Sequence, residues 1–202
     1  MKKILVVIIA FFLLSACGGG SSNKDSKNKE NDIPQWDPKK GPVDIEDRKI
    51  YFAVIDGKKY DLNTKITTFF DDGYSTYSDE NMKSIVKAGK YVINDVYFRK
   101  NDQTYFCMQP INRTSKDITK EECTVFSISI HDTWYTNATI IGDLTIGSSR
   151  EEVEAVFGTT YEIGSSEEYR NLVFGKIMKY GFKFSFDETW HVKTIMVYSY
   201  EN

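Results

Sequence analysis

Histidine is scarce in this chain of 202 residues. His131 and His191 stand alone, 60 positions apart, against 26 basic and 29 acidic side chains. Both sit in strand-like surroundings, where a lone imidazole is ordinarily solvated or satisfied by a neighbour, so no metal centre is expected. The acidic stretch 70–81, FDDGYSTYSDEN, lacks the carboxylates at every second position that a calcium loop needs and reads as a solvated loop. No Gly-x-Ser-x-Gly elbow and no phosphate-cradling glycine loop is present. Nor is there an apolar run long enough to cross a bilayer. Ile4–Leu14 is unbroken but holds eleven residues, where a spanning helix takes about 20. Basic excess is missing too, at a net charge of −3, which argues against nucleic acid as a partner. No cofactor and no catalytic residue is expected.

What the N-terminus does have is Lys2 and Lys3, then that short apolar run, in the arrangement of a secretory signal peptide. Leu14-Ser15-Ala16-Cys17 resembles the lipobox of bacterial lipoproteins, and Gly18–Gly20 follow at once. The resemblance implies cleavage before Cys17 and lipidation of its thiol. One acyl chain holds a protein marginally, at roughly 0.8 kcal/mol per buried CH₂, so the two or more chains implied on Cys17 give stable anchoring. The expected protein is therefore extracytoplasmic and membrane-attached through Cys17. Loss of residues 1–16 removes two lysines and no acid, leaving 24 basic against 29 acidic side chains, a charge of −5.

Residues 17–46 read as the lipidated cysteine and a flexible tether. Gly, Ser, Asn, Lys, Asp and Pro dominate without an apolar period, a composition that cannot offset chain entropy by burial. Its reach would be roughly 30 Å. Ile33, Pro34 and Trp36 are the residues in it able to touch a folded domain.

The remainder is rich in Tyr and Phe, thirteen of each in the chain, which favours sheet. In 49–62, KIYFAVIDGKKYDL, Asp56-Gly57 predicts a type I′ hairpin. Segment 91–110 reads as strand, Asn-Asp turn, strand. In 123–135, Phe126, Ile128 and Ile130 alternate with Ser127 and Ser129, predicting one buried and one wet face. Segment 180–200 reads as a hairpin turning near Asp187–Trp190. A helix is predicted over 148–157, with Ser148 as cap, Glu151 as its capping-box partner, Val153, Val156 and Phe157 on the core face and Gly158 as the stop. A second is predicted within 63–74, capped by Asn63 and closed by Gly73, with Ile66, Phe69 and Phe70 inward. The two invite an internal duplication, although their glycines fall two residues out of step.

The stretch LTIGSSREEVEAVFGTTYE (144–162), followed by GFKFSFDETWHVKTIMV (181–197), resembles a recurring lipoprotein module. It is similar to the repeat unit of the beta-lactamase inhibitor protein and to the SmpA/OmlA outer-membrane lipoproteins. Segment 51–74 resembles the part preceding that module in Gram-positive lipoproteins. Thr160 stands where the module carries proline, and Glu188-Thr189-Trp190 where its turn carries Asp-Gly. The resemblance implies an α+β fold, antiparallel sheet with short helices on one face, and allows two such units in tandem. An N-terminal sheet-rich unit at 47–135 and a C-terminal unit at 136–202 are expected. It also implies a non-catalytic protein that binds a protein or cell-envelope ligand through an aromatic sheet face, or an assembly role at the envelope. Tyr74, Tyr77, Tyr198 and Tyr200 are the candidate anchors.

Two further patterns merit weighing. Ser84-Ile-Val-Lys87 matches the Ser-x-x-Lys of penicillin-binding enzymes, a remote hydrolase reading; Ser21–Lys24 matches it equally, and Lys193-Thr194-Ile195 departs from the partner motif. Cys107 and Cys123 lie on either side of a strand-joining loop, where antiparallel neighbours approach closely enough for a disulfide; the alternative is two separate buried thiols. Asn112-Arg-Thr and Asn137-Ala-Thr match the glycosylation pattern by chance in a bacterial setting.

The anchor is directly testable. Cys17→Ser is expected to abolish lipidation and to shift the protein out of the detergent phase in a two-phase partition. Unchanged partitioning would exclude the lipid.

Overall fold

A computed structural model describes residues 33–93, 95–134, 137–163 and 170–201. Cys17 and the signal-like run lie outside the described residues. The described residues belong to one compact unit. Its elements in chain order are β1 (Phe52–Ile55), β2 (Lys58–Asp61), α1 (Ile66–Asp71), β3 (Ser75–Thr76), α2 (Asp79–Met82), β4 (Ile85–Val86), β5 (Val96–Lys100), β6 (Gln103–Ile111), β7 (Ile118–Thr119), β8 (Thr124–His131), β9 (Ala138–Thr139), α3 (Arg150–Phe157), β10 (Glu162–Ile163), β11 (Asn171–Lys176), β12 (Tyr180–Phe186) and β13 (Val192–Ser199). The class is α+β, mostly antiparallel sheet with a few short helices.

An eight-stranded antiparallel sheet runs β10-β11-β12-β13-β8-β6-β5-β3. A three-stranded sheet, β2-β1-β9, and the small pair β4-β7 complete the strands. The expected boundary at 135/136 falls between β8 and β9, but it does not separate two cores. β9 returns to pair with β1, and β13 pairs with β8 through Ile130↔Ile195 and Ile128↔Val197. One apolar cluster extends through all of these strands.

The turns follow the local chemistry. Asp56 and Gly57 both take positive φ (51° and 79°), as a type I′ turn requires. Asn101 and Asp102 do the same at the β5–β6 turn, with φ of 52° and 62°. At the β12–β13 turn, Asp187 accepts hydrogen bonds from the Thr189 amide, the Thr189 hydroxyl and the His191 amide. These donors hold its carboxyl below the usual range.

Helix α3 forms one residue later than expected. Ser149, not Ser148, is the cap, accepting from the Glu152 amide while Glu152 accepts from the Ser149 amide at 2.7 Å. Ser148 instead accepts from the Thr145 amide, closing the turn before the helix. Helix α1 likewise starts at Ile66 with Lys65 at the cap position and no side-chain cap bond, so Asn63 has no capping role. Gly158 closes α3 at φ 81°, beside Pro42.

Both helices insert an aromatic into the same face of the large sheet. Phe157 sets its ring 5.0, 4.7 and 5.6 Å from Phe174, Phe182 and Phe184 on β11 and β12. Phe69 of α1 lies 5.3 and 5.4 Å from Phe98 and Phe106 on β5 and β6, and stacks on Tyr60 at 4.4 Å. The β1–β2 hairpin fills this layer further, with Tyr51 stacked on Phe182.

Part of the segment expected to be a tether is docked within the described residues 33–46, while Gln35, Pro38–Lys40, Pro42, Asp44 and Glu46 are exposed. Ile33, Trp36, Val43 and Ile45 pack against the core. The Val43 amide donates to the Val156 carbonyl at 2.8 Å, and the Trp36 indole to Gly41 at 2.9 Å. Ile33 and Trp36 were the residues expected to touch the domain; Val43 and Ile45 were missed because apolar residues spaced along a polar segment make no period.

Phe157→Ala should destabilise by ~3–5 kcal/mol, the cost of an emptied aromatic site. Glu154 pairs with Arg150 one turn back at 2.7 Å, and its loss should cost under ~0.5 kcal/mol. Gly158→Val should also destabilise, since a β-branched residue resists that φ. Denaturant melts giving equal, small changes for Phe157→Ala and Glu154→Ala would contradict this packing.

Candidate functional site

The helices and the β1–β2 hairpin occupy one face of the eight-stranded sheet. The opposite face carries a different set of side chains, fixed by register. Pairings Val173↔Lys183, Lys183↔Met196, Met196↔Ser129, Ser129↔Cys107 and Cys107↔Tyr97 place six residues in one row across β11, β12, β13, β8, β6 and β5. At about 4.8 Å per strand the row is ~24 Å long. Neighbouring rows bring Asn171, Ser185, Thr194 and His131 together, and Gly175, Gly181, Tyr198, Ser127 and Gln109. The rows of this face mix polar side chains such as Ser129, Thr194 and Lys183 with Val173, Met196, Cys107 and Tyr198, and Val173, Cys107, Ser127 and Tyr198 are buried.

Its two ends are aromatic. At one, Tyr77 lies 6.4 Å from Tyr97, Tyr97 5.8 Å from Trp134, and Trp134 5.4 Å from His131. Arg99 stacks over Tyr77 at 4.4 Å, and the Tyr77 hydroxyl hydrogen-bonds Thr104 at 2.6 Å. At the other end Tyr200 lies 4.6 Å from Phe126, 5.2 Å from Tyr91 and 6.1 Å from Tyr198. Tyr77, Tyr91 and Tyr97 are 62, 42 and 41 % exposed.

The expected anchors divide. Tyr77 and Tyr200 belong to this face. Tyr74 does not: it is buried on the helix side, with its hydroxyl bonded to Asp56, and that burial and carboxylate push its pKa up. Tyr198 is on the face but buried, its ring laid across Gly181, where a Cβ would come within 2.9 Å of the tyrosine hydroxyl. Burial raises its pKa to about 12. Tyr91, Tyr97 and Trp134 were not singled out from sequence. The alternation in Val96-Tyr97-Phe98-Arg99 was the available signal for Tyr97, since Val96 and Phe98 are core.

Phe126 corrects the alternation expected of β8. Gln109 pairs with Ser127 and Pro110 with Val125, so Phe126 is an extra residue, a bulge. Val125, Ile128 and Ile130 face the helices, and Phe126 turns to Tyr91 and Tyr200.

Cys107 and Cys123 are two free, buried thiols, the alternative to a disulfide. Cys107 sits in the open-face row opposite Ser129. Cys123 belongs to the helix-side core, with its thiol donating to the Thr119 carbonyl. Since Ile111 pairs with Thr124, about five residues of ladder, roughly 16 Å, separate the two cysteines, and a bridge requires under about 7 Å between Cα atoms. Burial pushes the Cys107 thiol up to about 12 and the Cys123 thiol up to about 11.

The remaining candidates resolve into structural roles. The Ser84 hydroxyl donates to the Asn81 carbonyl at 2.7 Å, while Lys87 reaches Asp117 at 2.7 Å. The lysine ammonium is thus committed to a carboxylate and does not serve the serine. His131 bonds Asp132 and Thr133; His191 bonds Thr189 in the β12–β13 turn. Within the acidic stretch, Asp72 accepts from Tyr60 and Lys58, tying α1 to the hairpin. Asn112 is fully buried, its amide donating to Val86 and Lys116 carbonyls, which leaves no room for a glycan.

No family model, curated protein or solved structure matches the chain.

Both thiols should be unreactive toward a disulfide reagent at pH 8 in the native protein and fully reactive after denaturation. Non-reducing peptide mapping should find each alkylated without reductant, and a Cys107–Cys123 peptide would overturn the assignment.

Proposed function

We propose that this chain is a lipid-anchored, extracytoplasmic binding module that takes a protein partner on the open face of its eight-stranded sheet. The observation that carries the proposal is the pair of aromatic clusters on the sheet face opposite the helices, where Tyr77, Tyr91 and Tyr97 stay 62, 42 and 41 % exposed. Tyr and Trp supply large contact area at low side-chain entropy cost and dominate interface energetics. A row ~24 Å long suits a partner footprint of about 800 Å². Centre and rim divide the work: the rings anchor, while Ser129, Thr194, Gln109 and Lys183 offer hydrogen bonds that set orientation.

The strand order supports reading the domain as two tandem units of the kind found in the beta-lactamase inhibitor protein. Helix α1 is followed by β3, β5, β6 and β8, consecutive in the sheet; α3 is followed by β10, β11, β12 and β13, also consecutive. The two meanders meet last strand to last strand. The insertions α2, β4 and β7 fall in the first, which accounts for the poor match of the two halves in sequence. Membrane attachment through Cys17 rests on the lipobox resemblance, and catalysis has no support in the placement of Ser84 and Lys87.

A photo-crosslinking residue substituted for Tyr97 in the cell-expressed protein should capture a discrete partner, and the same residue at Glu151, on the solvent side of α3, should not. Adding Tyr77→Ala should reduce the Tyr97 adduct several-fold without lowering the melting temperature. Equal capture at both positions, or none at Tyr97, would refute the open face as the binding surface.

A further inference from the structure

A second feature lies away from the aromatic face. A cleft of about 630 Å³ opens between the start of β1, the end of β2 and the end of β13. Four cations line it, Arg48, Lys49, Lys59 and Arg113, against two carboxylates, Asp61 and Glu201. The chain as a whole is negative, so this is a local reversal of charge. The two carboxylates are already engaged: Glu201 holds Arg48 at 2.6 Å, and Asp61 lies 3.4 Å from Lys59. Arg113 and Lys49 form no ion pair among the described residues.

Arg113 is the telling group. Its guanidinium is half-buried and, among the described residues, hydrogen-bonds neutral acceptors: the Thr124 hydroxyl at 3.4 Å and the carbonyls of Ser199 and Glu201 at 3.2 and 3.5 Å. Its Nε is buried with no hydrogen-bond partner. Burial alone lowers its pKa. A partly desolvated cation with no ion pair among the described residues is costly, and an anionic ligand would offset that cost. The guanidinium fork matches the oxygens of a phosphate, and an ammonium beside it adds a second positive charge. The cleft is far larger than a phosphate ion and falls within the range of small-ligand sites. Tyr51 and Leu62 give it an apolar wall.

We propose that this cleft binds an organic phosphate, with Arg113 and Lys49 holding the phosphate oxygens and the wall at Tyr51 and Leu62 receiving the attached carbon skeleton. A soluble phosphomonoester and a phospholipid headgroup share this chemistry.

The test is a titration of the isotopically labelled full chain in neutral detergent, read at the Arg113 Nε signal. Glycerol phosphate should shift that signal saturably, whereas chloride at equal ionic strength should not. Phosphatidylglycerol added to the micelles in place of glycerol phosphate distinguishes the source. A shift with the lipid alone assigns a headgroup, a shift with glycerol phosphate assigns a soluble ligand, and phosphatidylcholine is the lipid control. Arg113→Gln should weaken binding at least tenfold, followed through neighbouring amides. Should that variant fail to fold, Lys49→Gln, on an exposed side chain, should weaken binding about threefold at an unchanged melting temperature. Absence of a saturable shift with either phosphate, an equal response to chloride, or full affinity in Lys49→Gln would overturn the proposal.

Discussion

The ladder between β8 and β13 is the constraint on which the rest of this domain depends. It joins two four-strand meanders that would otherwise be separate sheets, and its inward pairs, Ile128↔Val197 and Ile130↔Ile195, are fully buried. Because the ladder is antiparallel and central, the side chains of both meanders fall into common rows. That alignment gives the helix side one continuous core and the other side one continuous face. A one-residue slip would exchange the two faces of half the sheet, exposing isoleucines and burying Ser129 and Met196.

The helix side is held by aromatic insertion. Phe157 and Phe69 each reach three rings, so each short helix is fixed by packing; a helix of six or eight residues has little stability of its own. The segment before β1 adds to this layer through Val43 and Trp36. Its docking ties the position of α3 to residues far outside the sheet.

Much of this was legible from local chemistry. Asp56-Gly57 identified its hairpin because positive φ at consecutive residues leaves few options, and the Asp187–Trp190 turn was marked by Asp187, whose carboxylate gathers the amides of Thr189 and His191. Val153, Val156 and Phe157 identified the face of α3 even though the cap was one residue off; Ser148 and Ser149 are chemically equivalent, and only the placement of Glu152 against the backbone decides between them. The faces of strands were less legible. A single bulge at Phe126 reverses the alternation, and nothing in Phe-Ser-Ile-Ser-Ile announces it. Tyr74 and Tyr97 look alike in sequence; their fates differ because Tyr74 leaves α1 toward the core and Tyr97 stands between two inward residues. Arg113 was invisible for another reason: that its Nε is buried without a partner among the described residues is a property of three chain segments meeting, not of its neighbours in sequence.

Both outer strands of the large sheet, β3 and β10, are two residues long. A foreign strand adds to a sheet by pairing several consecutive backbone groups, and such stubs give it little to grip. The molecule therefore guards against growing into filaments at these margins. Any chain that would join these margins by backbone pairing is disfavoured.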